Sequence, residues 1–364
     1  MNLRILLTFF LSFIIHTLSS QNTQPIKIGL LIQDKASLAA KQGAEMAIKL
    51  ANKQNGGNSR PFQLITKGME GPWGTGAKQA IDLIFENEVW ALLGSHDGRN
   101  AHLVEQAATK STVVFVSAWS SDPTLSQAFV PWFFNCVPND LQQADEYIEE
   151  IYNKRKFTRV ATITDNTYDS NLALKSFIEN LKLAGNNEPA HFLFDNYVVE
   201  LNVLADQIIK AEINCIVLFC HPSASLKIIR LLRQRKINLP VFGSLSILNE
   251  NVLSENELKE FDNNMLVPSG SWSGSKYLAF RQEYQKLYGK MPGMVAAYAF
   301  DGMNLLIEAI RTSGGPEKEK IQQALSKIQY DGVTGQIQFD NKGNRSGPVD
   351  LKGIKNGVPV NVSY

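Results

Sequence analysis

The sequence is short of cysteine, of excess charge and of long apolar runs. Three cysteines among 364 residues do not make a disulfide scaffold, and no group of His, Cys and carboxylate residues has the spacing of a zinc site. The 36 basic and 35 acidic residues almost cancel, which argues against a nucleic-acid partner. Neither a phosphate-binding loop nor a nucleophile elbow is present. We therefore predict no catalysis, no cofactor and no metal.

The N-terminus is the one strongly apolar part of the chain. Arg4 is followed by an apolar run over residues 5–15 and then by small polar residues up to Ser20. This layout is typical of a cleavable export signal, and the run is too short to span a bilayer comfortably. We predict a signal peptide at 1–20 and a soluble protein that is exported to the periplasm or the cell exterior.

After the signal, short apolar runs alternate with amphipathic segments in two successive series. The first series predicts strands at 27–32, 62–66, 90–94 and 113–117, with helices between them, and the second predicts strands at 160–164, 191–194, 215–220 and 241–243. Repeated strand–helix–strand units form parallel sheets covered by helices. The fold class is therefore α/β, with two doubly wound parallel-sheet lobes joined by a multi-strand hinge.

Extended runs that do not fit the alternation of strands and helices indicate where the chain passes between the lobes. Crossings at 133–139, at 265–270 and near 328–334 would leave lobe 1 with residues 21–138 and 270–328, and lobe 2 with 139–269 and 329–364. A hinge of several strands permits rigid-body closure around a ligand.

Several segments resemble the Leu/Ile/Val-binding-protein family, the type I periplasmic binding proteins that serve ABC transporters. They are IKIGLL at 26–31, GAEMA at 43–47, ALLGS at 91–95, YAFDGMNLL at 298–306 and VTGQIQFDNKG at 333–343. The resemblance implies a monomeric receptor with three crossing strands, a small-molecule ligand and a membrane permease as partner. We expect the lobes to close over a small polar metabolite, an amino acid first of all. A same-fold sensor for a signalling receptor and a binder of an aromatic acid or an amide remain open alternatives.

Ligands of open α/β sheets bind at the loops that follow the strands. In the first lobe the loop at 94–100 offers Arg99 and Asn100, and Arg99 can hold a carboxylate by two hydrogen bonds. The alternative is that Asp97 caps the helix and Arg99 faces solvent. The resemblance implies a ligand-holding serine near Gly98, which this chain lacks.

The next loop of the first lobe contains Trp119, Ser120 and Ser121. The resemblance implies that this segment contacts the ligand through backbone groups and a hydroxyl, with Ser121 at the hydroxyl position. Core packing for Trp119 and helix capping for Ser121 are the alternatives.

In the second lobe the resemblance assigns an aromatic ligand contact to Tyr168. Family members add an aromatic and an acidic group further on, at positions that match Cys220 or His221 and Leu245 here. His221 is retained as a candidate. The missing acidic residue argues against an α-amino acid, because a buried ammonium group needs a counter-charge. Asp97, Asp122 and Glu250 are the open alternatives for that counter-charge.

Overall fold

The structure is a computed structural model that describes residues 24–55, 60–72, 74–127, 130–194, 201–270, 272 and 274–362. The predicted signal peptide at 1–20 lies outside these residues. No helix in the described ranges has the length and apolar character of a membrane span.

The first lobe is built on a parallel sheet with helices on both faces. In the described residues its strand order is β2-β1-β3-β4-β5, formed by β1 (Ile26–Ile32), β2 (Phe62–Gly68), β3 (Ala91–Ser95), β4 (Val114–Ser117) and β5 (Phe133–Asn135). The connections are α1 (Leu38–Gln54), α2 (Thr75–Ile81, continued by a π-helical turn at Asp82–Glu86) and α3 (Gly98–Lys110). Every residue of β3 is buried, as expected for a strand covered on two faces.

The second lobe repeats this plan with a larger sheet. The strands run β14-β13-β10-β9-β8-β6-β7 in the described chain, from β6 (Val160–Thr164), β7 (Ala190–Leu193), β8 (Cys215–Phe219), β9 (Val241–Gly243), β10 (Leu266–Ser269), β13 (Asp350–Lys355) and β14 (Val358–Val360). Strands β13 and β14 pair antiparallel. The helices are α4 (Asp140–Ile148, continued by a π-helical turn at Glu149–Lys154), α5 (Tyr168–Leu183), α6 (Leu201–Lys210), α7 (Pro222–Gln234) and α8 (Glu255–Leu258).

Between β10 and β13 the chain returns to the first lobe. It forms α9 (Ser275–Tyr288), α10 (Met294–Ser313), α11 (Lys318–Ser326) and a hairpin of β11 (Tyr330–Gly332) and β12 (Gly335–Ile337). Helices α1 and α10 pack backbone to backbone, since a Cβ on Gly43 would lie 2.1 Å from the carbonyl oxygen of Ala296. The predicted two-lobed α/β fold with parallel sheets is confirmed.

The crossings differ in detail from the sequence expectation. Residues 133–135 belong to the first sheet as β5, so the first crossing begins at Cys136. The carboxylate of buried Asp301 on α10 accepts hydrogen bonds from the amides of Val333 and Thr334, and Asn344 bridges to Asn135. The chain is therefore still beside the first lobe at residue 344. The third crossing follows that residue instead of lying near 328–334.

Arg345 joins the crossing segments to one another. Its side chain is 0% exposed, and its guanidinium donates to the carbonyl oxygens of Cys136 (2.9 Å), Thr334 (2.8 Å) and Gln336 (3.0 Å). A Cβ on Gly270, in the second crossing, would lie 2.7 Å from Arg345 Nη2. All three crossings thus meet at one buried cation.

Replacing Arg345 with Leu should destabilise the protein by about 3 kcal/mol or more, because it leaves several buried carbonyl groups without donors. Thermal denaturation measures the loss. Arg235→Leu is the matched control: Arg235 is exposed and pairs with exposed Asp206, and such pairs contribute about 0–1 kcal/mol. Equal losses in the two variants would contradict the role assigned to Arg345.

Candidate functional site

A cavity of about 580 Å³ lies between the two lobes. Its walls are the loops at the carboxyl ends of strands from both sheets, where α/β folds bind their ligands. The first lobe contributes residues that follow β1, β3 and β4, and the second contributes residues that follow β6, β8 and β9. The cavity therefore exists only where the two lobes face each other.

Most of the sequence-predicted site residues reach this cavity. Arg99, Trp119, Ser121, Tyr168 and His221 line it. Trp119 also packs against the main hydrophobic core, so the same side chain lines the cavity and packs against the core. His221 lines the cavity while its Nδ1 accepts a hydrogen bond from the amide of Ser223 and caps α7.

Asn100 and Ser120 are not among the residues that line the cavity, and their assignment as ligand contacts stays a prediction. The side chain of Asn100 donates to Asp97 Oδ2 at 3.1 Å and is held within the first turn of α3. Ser120 is 4% exposed, and its hydroxyl accepts a hydrogen bond from the amide of Asp122. Both side chains thus form hydrogen bonds within their own segment of the chain.

The start of α3 settles the question about Asp97. Its Oδ1 accepts a hydrogen bond from the amide of Asn100 at 2.8 Å, so Asp97 is the N-cap of this helix. Arg99 is exposed, and its guanidinium carbon lies 5.2 Å from the centre of the Tyr168 ring. This cation–π contact runs from one lobe to the other.

Helix α5 begins at Tyr168, because the Thr167 hydroxyl accepts a hydrogen bond from the amide of Ser170 and caps the helix. Its first turn contacts the first lobe directly. Tyr168 donates its hydroxyl to Asp122 Oδ2 at 3.2 Å, and Asp169 Oδ1 accepts the amide hydrogen of Gly98 at 3.1 Å.

Gly98 lies at this contact between the lobes. A Cβ on this residue would lie 2.9 Å from side-chain atoms of both Asp122 and Asp169. The loop therefore has no room for a larger residue, which accounts for glycine at the position where the family resemblance implies serine.

Acidic side chains gather around the cavity. Of the described residues that line it, only Arg99 has a permanent positive charge, whereas four are aspartates: Asp34, Asp97, Asp140 and Asp169. Burial raises the pKa of Asp169 to about 7, with Asp97 and Asp122 adding to the rise. Burial also raises the pKa of Asp140 well above its usual range, although a hydrogen bond with Ser121 opposes the rise. A positive charge in the cavity would stabilise both carboxylates.

Sequence reasoning missed Asp140 and Asp169, because it looked for an acid at the family positions near His221 and Leu245 and then at Asp97, Asp122 and Glu250. Both aspartates stand in the first turn of a helix, α4 or α5. First-turn acids are common for reasons of helix stability alone. One signal could have identified the two aspartates: each of these helices starts at the carboxyl edge of a sheet or directly after a crossing.

Two polar atoms in the cavity wall have no hydrogen-bond partner among the described residues. They are Ser95 Oγ and His96 Nε2, on side chains that are 4% and 2% exposed. Burial lowers the pKa of His96, so its ring is neutral at pH 7. Buried polar groups are normally paired. His96 Nε2 lies beside the Phe115 ring within the first lobe. Of the two atoms, the Ser95 hydroxyl is therefore the one left for a bound polar molecule to pair with.

Comparison with known families agrees with this geometry. The family model described as "Periplasmic binding protein" matches residues 25–350, which is nearly all of the described chain. The chain belongs to the periplasmic binding protein family. The binding protein thus comes from a family that binds substrates for transport, as the sequence resemblance implied.

Solved structures show the same fold at low sequence identity. The branched-chain amino acid transporter substrate binding protein LivJ from Streptococcus pneumoniae, in complex with isoleucine, has a TM-score of 0.79 at 21% identity over 92% of this chain and 97% of that chain. An ABC transporter solute binding protein from R. palustris, in complex with benzoate, has a TM-score of 0.77 at 15% identity over 93% of this chain and 95% of that one.

A curated relative from a plant also matches. Glutamate receptor 2.2 of Arabidopsis thaliana is 21% identical over 298 residues. This match covers 72% of the binding protein but only 32% of the receptor, so the chain spans about a third of that relative's length.

Beside the cavity, the second lobe caps two helices of the first. The carboxylate of Glu250 accepts hydrogen bonds from the amides of Val295 (2.9 Å) and Ala296 (2.8 Å) at the start of α10. Asn251 Oδ1 accepts the amide of Ala39 in the first turn of α1 at 3.0 Å. The helices' own N-cap residues make no capping side-chain hydrogen bond. Separating the lobes would therefore expose both helix ends.

Replacing Glu250 with Ala in the binding protein should weaken the association of the lobes, because the start of α10 loses its acceptor. A lost helix cap costs about 1 kcal/mol, so the ligand-free protein should shift towards an open form with a larger radius of gyration in solution X-ray scattering. Glu257→Ala is the matched control, since Glu257 caps α8 within the second lobe. An equal increase in both variants would contradict the assignment.

Replacing Asp169 with Asn should change how stability depends on pH. With a pKa of about 7, folded Asp169 keeps a proton between pH 4 and 7 that the unfolded chain has released, so its contribution to stability falls as pH rises through this range. Asn keeps an oxygen for the Gly98 amide but carries no charge. At pH 8 the variant should melt about 2–4 °C above the parent, and the difference should shrink towards pH 5.

Thermal denaturation at pH 5, 6, 7 and 8 measures this difference. Titrating groups that do not interact with Asp169 affect parent and variant alike, so the difference reports Asp169 together with the acids beside it. Asp206→Asn is the control, because Asp206 is exposed on α6 and far from the cavity lining. A difference for Asp169→Asn that stays constant across these pH values would contradict its titration near pH 7.

Proposed function

We propose that this protein is an exported solute receptor whose lobes close over a small polar solute that bears an amine, for delivery to an ABC-type membrane permease. The observation that carries the proposal is the cavity of about 580 Å³ lined from both lobes. Export rests on the apolar segment at 1–20, and the permease on the family's role in transport. Binding without turnover is part of the proposal.

The preference for an amine rests on charge. Asp97, Asp140 and Asp169 line the cavity, against one permanent cation at Arg99. An ammonium group among these carboxylates gains favourable interactions that a neutral or anionic group does not. Amino acids are one class of amine-bearing solute, and the solved LivJ holds isoleucine.

The proposed mechanism is hinge closure. In the closed arrangement Tyr168 reaches Asp122, and Asp169 reaches Gly98, across the cleft. A solute that contacts both lobes at once binds this arrangement better than an open one, and only such a difference in affinity shifts the equilibrium. A shift from mostly open to mostly closed requires about 5 kcal/mol of preference. The closed shape is then the form that the permease recognises.

Two other candidates have an observation each in their favour. An aromatic acid is favoured by the aromatic rings of Trp119, Tyr168 and Phe219 in the lining, and by the benzoate complex of a solved relative; Arg99 would hold its carboxylate. A ligand sensor for a signalling receptor is favoured by the match to a plant glutamate receptor. The surplus of carboxylates argues against the aromatic acid.

A thermal-shift panel of amino acids, amines, small amides and aromatic acids tests the proposal on the full chain without residues 1–20. A solute present at a hundred times its Kd should stabilise the protein by about 2.7 kcal/mol. Trp119→Ala or Tyr168→Ala should remove most of that shift, because each deletes a wall of the cavity.

Trp90→Ala is the control for these variants. Trp90 also packs partly buried against the core, but it stands just before β3, at the end of the sheet opposite the cavity. This variant should keep the full ligand shift whatever its own melting temperature. Shifts that survive unchanged in Trp119→Ala and Tyr168→Ala would mean that the solute binds elsewhere.

A further inference from the structure

The amino-terminal end of α3 is the natural place in this cleft for a negatively charged ligand group. A helix start presents free amide hydrogens and the positive end of the helix dipole. Here those amides are already bonded to carboxylates of the protein itself. Asn100 N donates to Asp97 Oδ1 at 2.8 Å, and Gly98 N donates to Asp169 Oδ1 at 3.1 Å.

Asp169 differs from an ordinary helix cap because it comes from the opposite lobe. It stands in the first turn of α5 and reaches the α3 amide only across the cleft. When the lobes come together, the carboxylate of Asp169 takes the position that a carboxylate of the solute would otherwise occupy.

Resting on the proposed function, we infer that Asp169 is a specificity-determining residue: it makes the cleft select amines that lack an α-carboxylate over the corresponding α-amino acids. The class comprises primary amines, diamines and amino alcohols. An α-carboxylate is rejected because the start of α3 is occupied and because the nearby carboxylates of Asp97 and Asp122 repel it. The amine is attracted by the same carboxylates.

The charged groups that face Asp169 support this direction of selectivity. Asp97 and Asp122 act on it from the first lobe as like charges, and Arg99 opposes them. Arg99 is exposed at the rim and lies over the Tyr168 ring. Asp140 adds a further carboxyl group from α4. The centre of the cleft therefore suits a cation, and the single guanidinium lies at its edge.

An independent observation favours a polar ligand in this space. The hydroxyl of Ser95 lines the cavity, is on a side chain only 4% exposed, and has no partner among the described residues. A hydroxyl of this kind can accept a hydrogen bond from an ammonium group. The rings of Trp119 and Phe219 in the lining offer apolar surface to the methylene chain of an amine.

Matched pairs of ligands that differ only in the α-carboxylate test the inference. The pairs are lysine with cadaverine, ornithine with putrescine and arginine with agmatine, titrated calorimetrically into the full chain without residues 1–20. In the unmodified protein, the decarboxylated member of at least one pair should bind about tenfold more tightly or better. Asp169→Asn should reduce this ratio at least threefold, because it removes the negative charge of Asp169, which repels the α-carboxylate together with Asp97 and Asp122.

Asp206→Asn is the matched control and should leave the ratio unchanged, since Asp206 is an exposed acid on α6. The ratio between paired ligands is the decisive readout, because a general loss of folding lowers both affinities together. Melting temperatures of all variants are recorded alongside.

Amino acids that bind as tightly as their amines in the unmodified protein would overturn the inference and leave the proposed solute receptor standing. Binding of benzoate alone would overturn the inference and also the preference for an amine in the proposed function, and would leave only a receptor for another solute. A ratio that Asp169→Asn does not change would overturn the role of Asp169. Binding of no amine, amino acid, amide or aromatic acid would count against both the inference and the proposed function.

Discussion

One buried guanidinium holds the two lobes of this protein in register. Arg345 donates to carbonyl oxygens of the first crossing and of the segment that leads to the third, and the second crossing passes it at Gly270. A buried cation is costly unless its hydrogen bonds are satisfied. The crossings are therefore constrained to meet at this side chain, and the orientation of the two sheets, with their carboxyl edges facing, depends on that meeting.

Asp301 extends this constraint into the first lobe. Its carboxylate is fully buried and accepts hydrogen bonds from two backbone amides and the hydroxyl of the segment at Val333 and Thr334. That segment in turn gives its carbonyl oxygen and hydroxyl to Arg345. A chain of charge-assisted hydrogen bonds thus runs from helix α10 to the hinge. The YAFDGMNLL and VTGQIQFDNKG motifs that carry the family resemblance supply the two sides of this contact.

The cleft itself is organised by exchange of hydrogen-bonding groups between the lobes. The second lobe gives carboxylates and an amide oxygen to helix starts in the first: Asp169 to α3, Glu250 to α10 and Asn251 to α1. Each of these acceptors is matched to unpaired amides at a helix end. The closed arrangement is consequently stabilised by several modest contacts at the rim, and the interior is left polar, acidic and partly without partners. A solute with its own hydrogen-bond donors would pair with the groups in this interior that have no partner.

Much of this architecture follows from the sequence alone. Apolar runs such as ALLGS at 91–95 and the alternation of strands with helices predict two parallel sheets, because a strand covered on both faces must be apolar throughout. The rule that ligands bind beyond the carboxyl ends of strands then selects the loops with Trp119, Ser121 and Tyr168, and all three residues line the cavity. Local pattern is sufficient here, since each of these statements concerns one strand and the loop that follows it.

Only the tertiary structure decided which acids face the cleft and which loop residues turn away from it. Asp169 meets Gly98, 71 positions away in the chain, and no local pattern encodes such a distance. Asn100, in the first turn of α3, and Ser120, in a loop, are polar like their neighbours, yet each forms a hydrogen bond with a nearby aspartate residue. The sequence by itself thus determined the two sheets and the edge at which they meet a ligand. The charge of the cleft depended on packing, because it arises from groups that different lobes bring together.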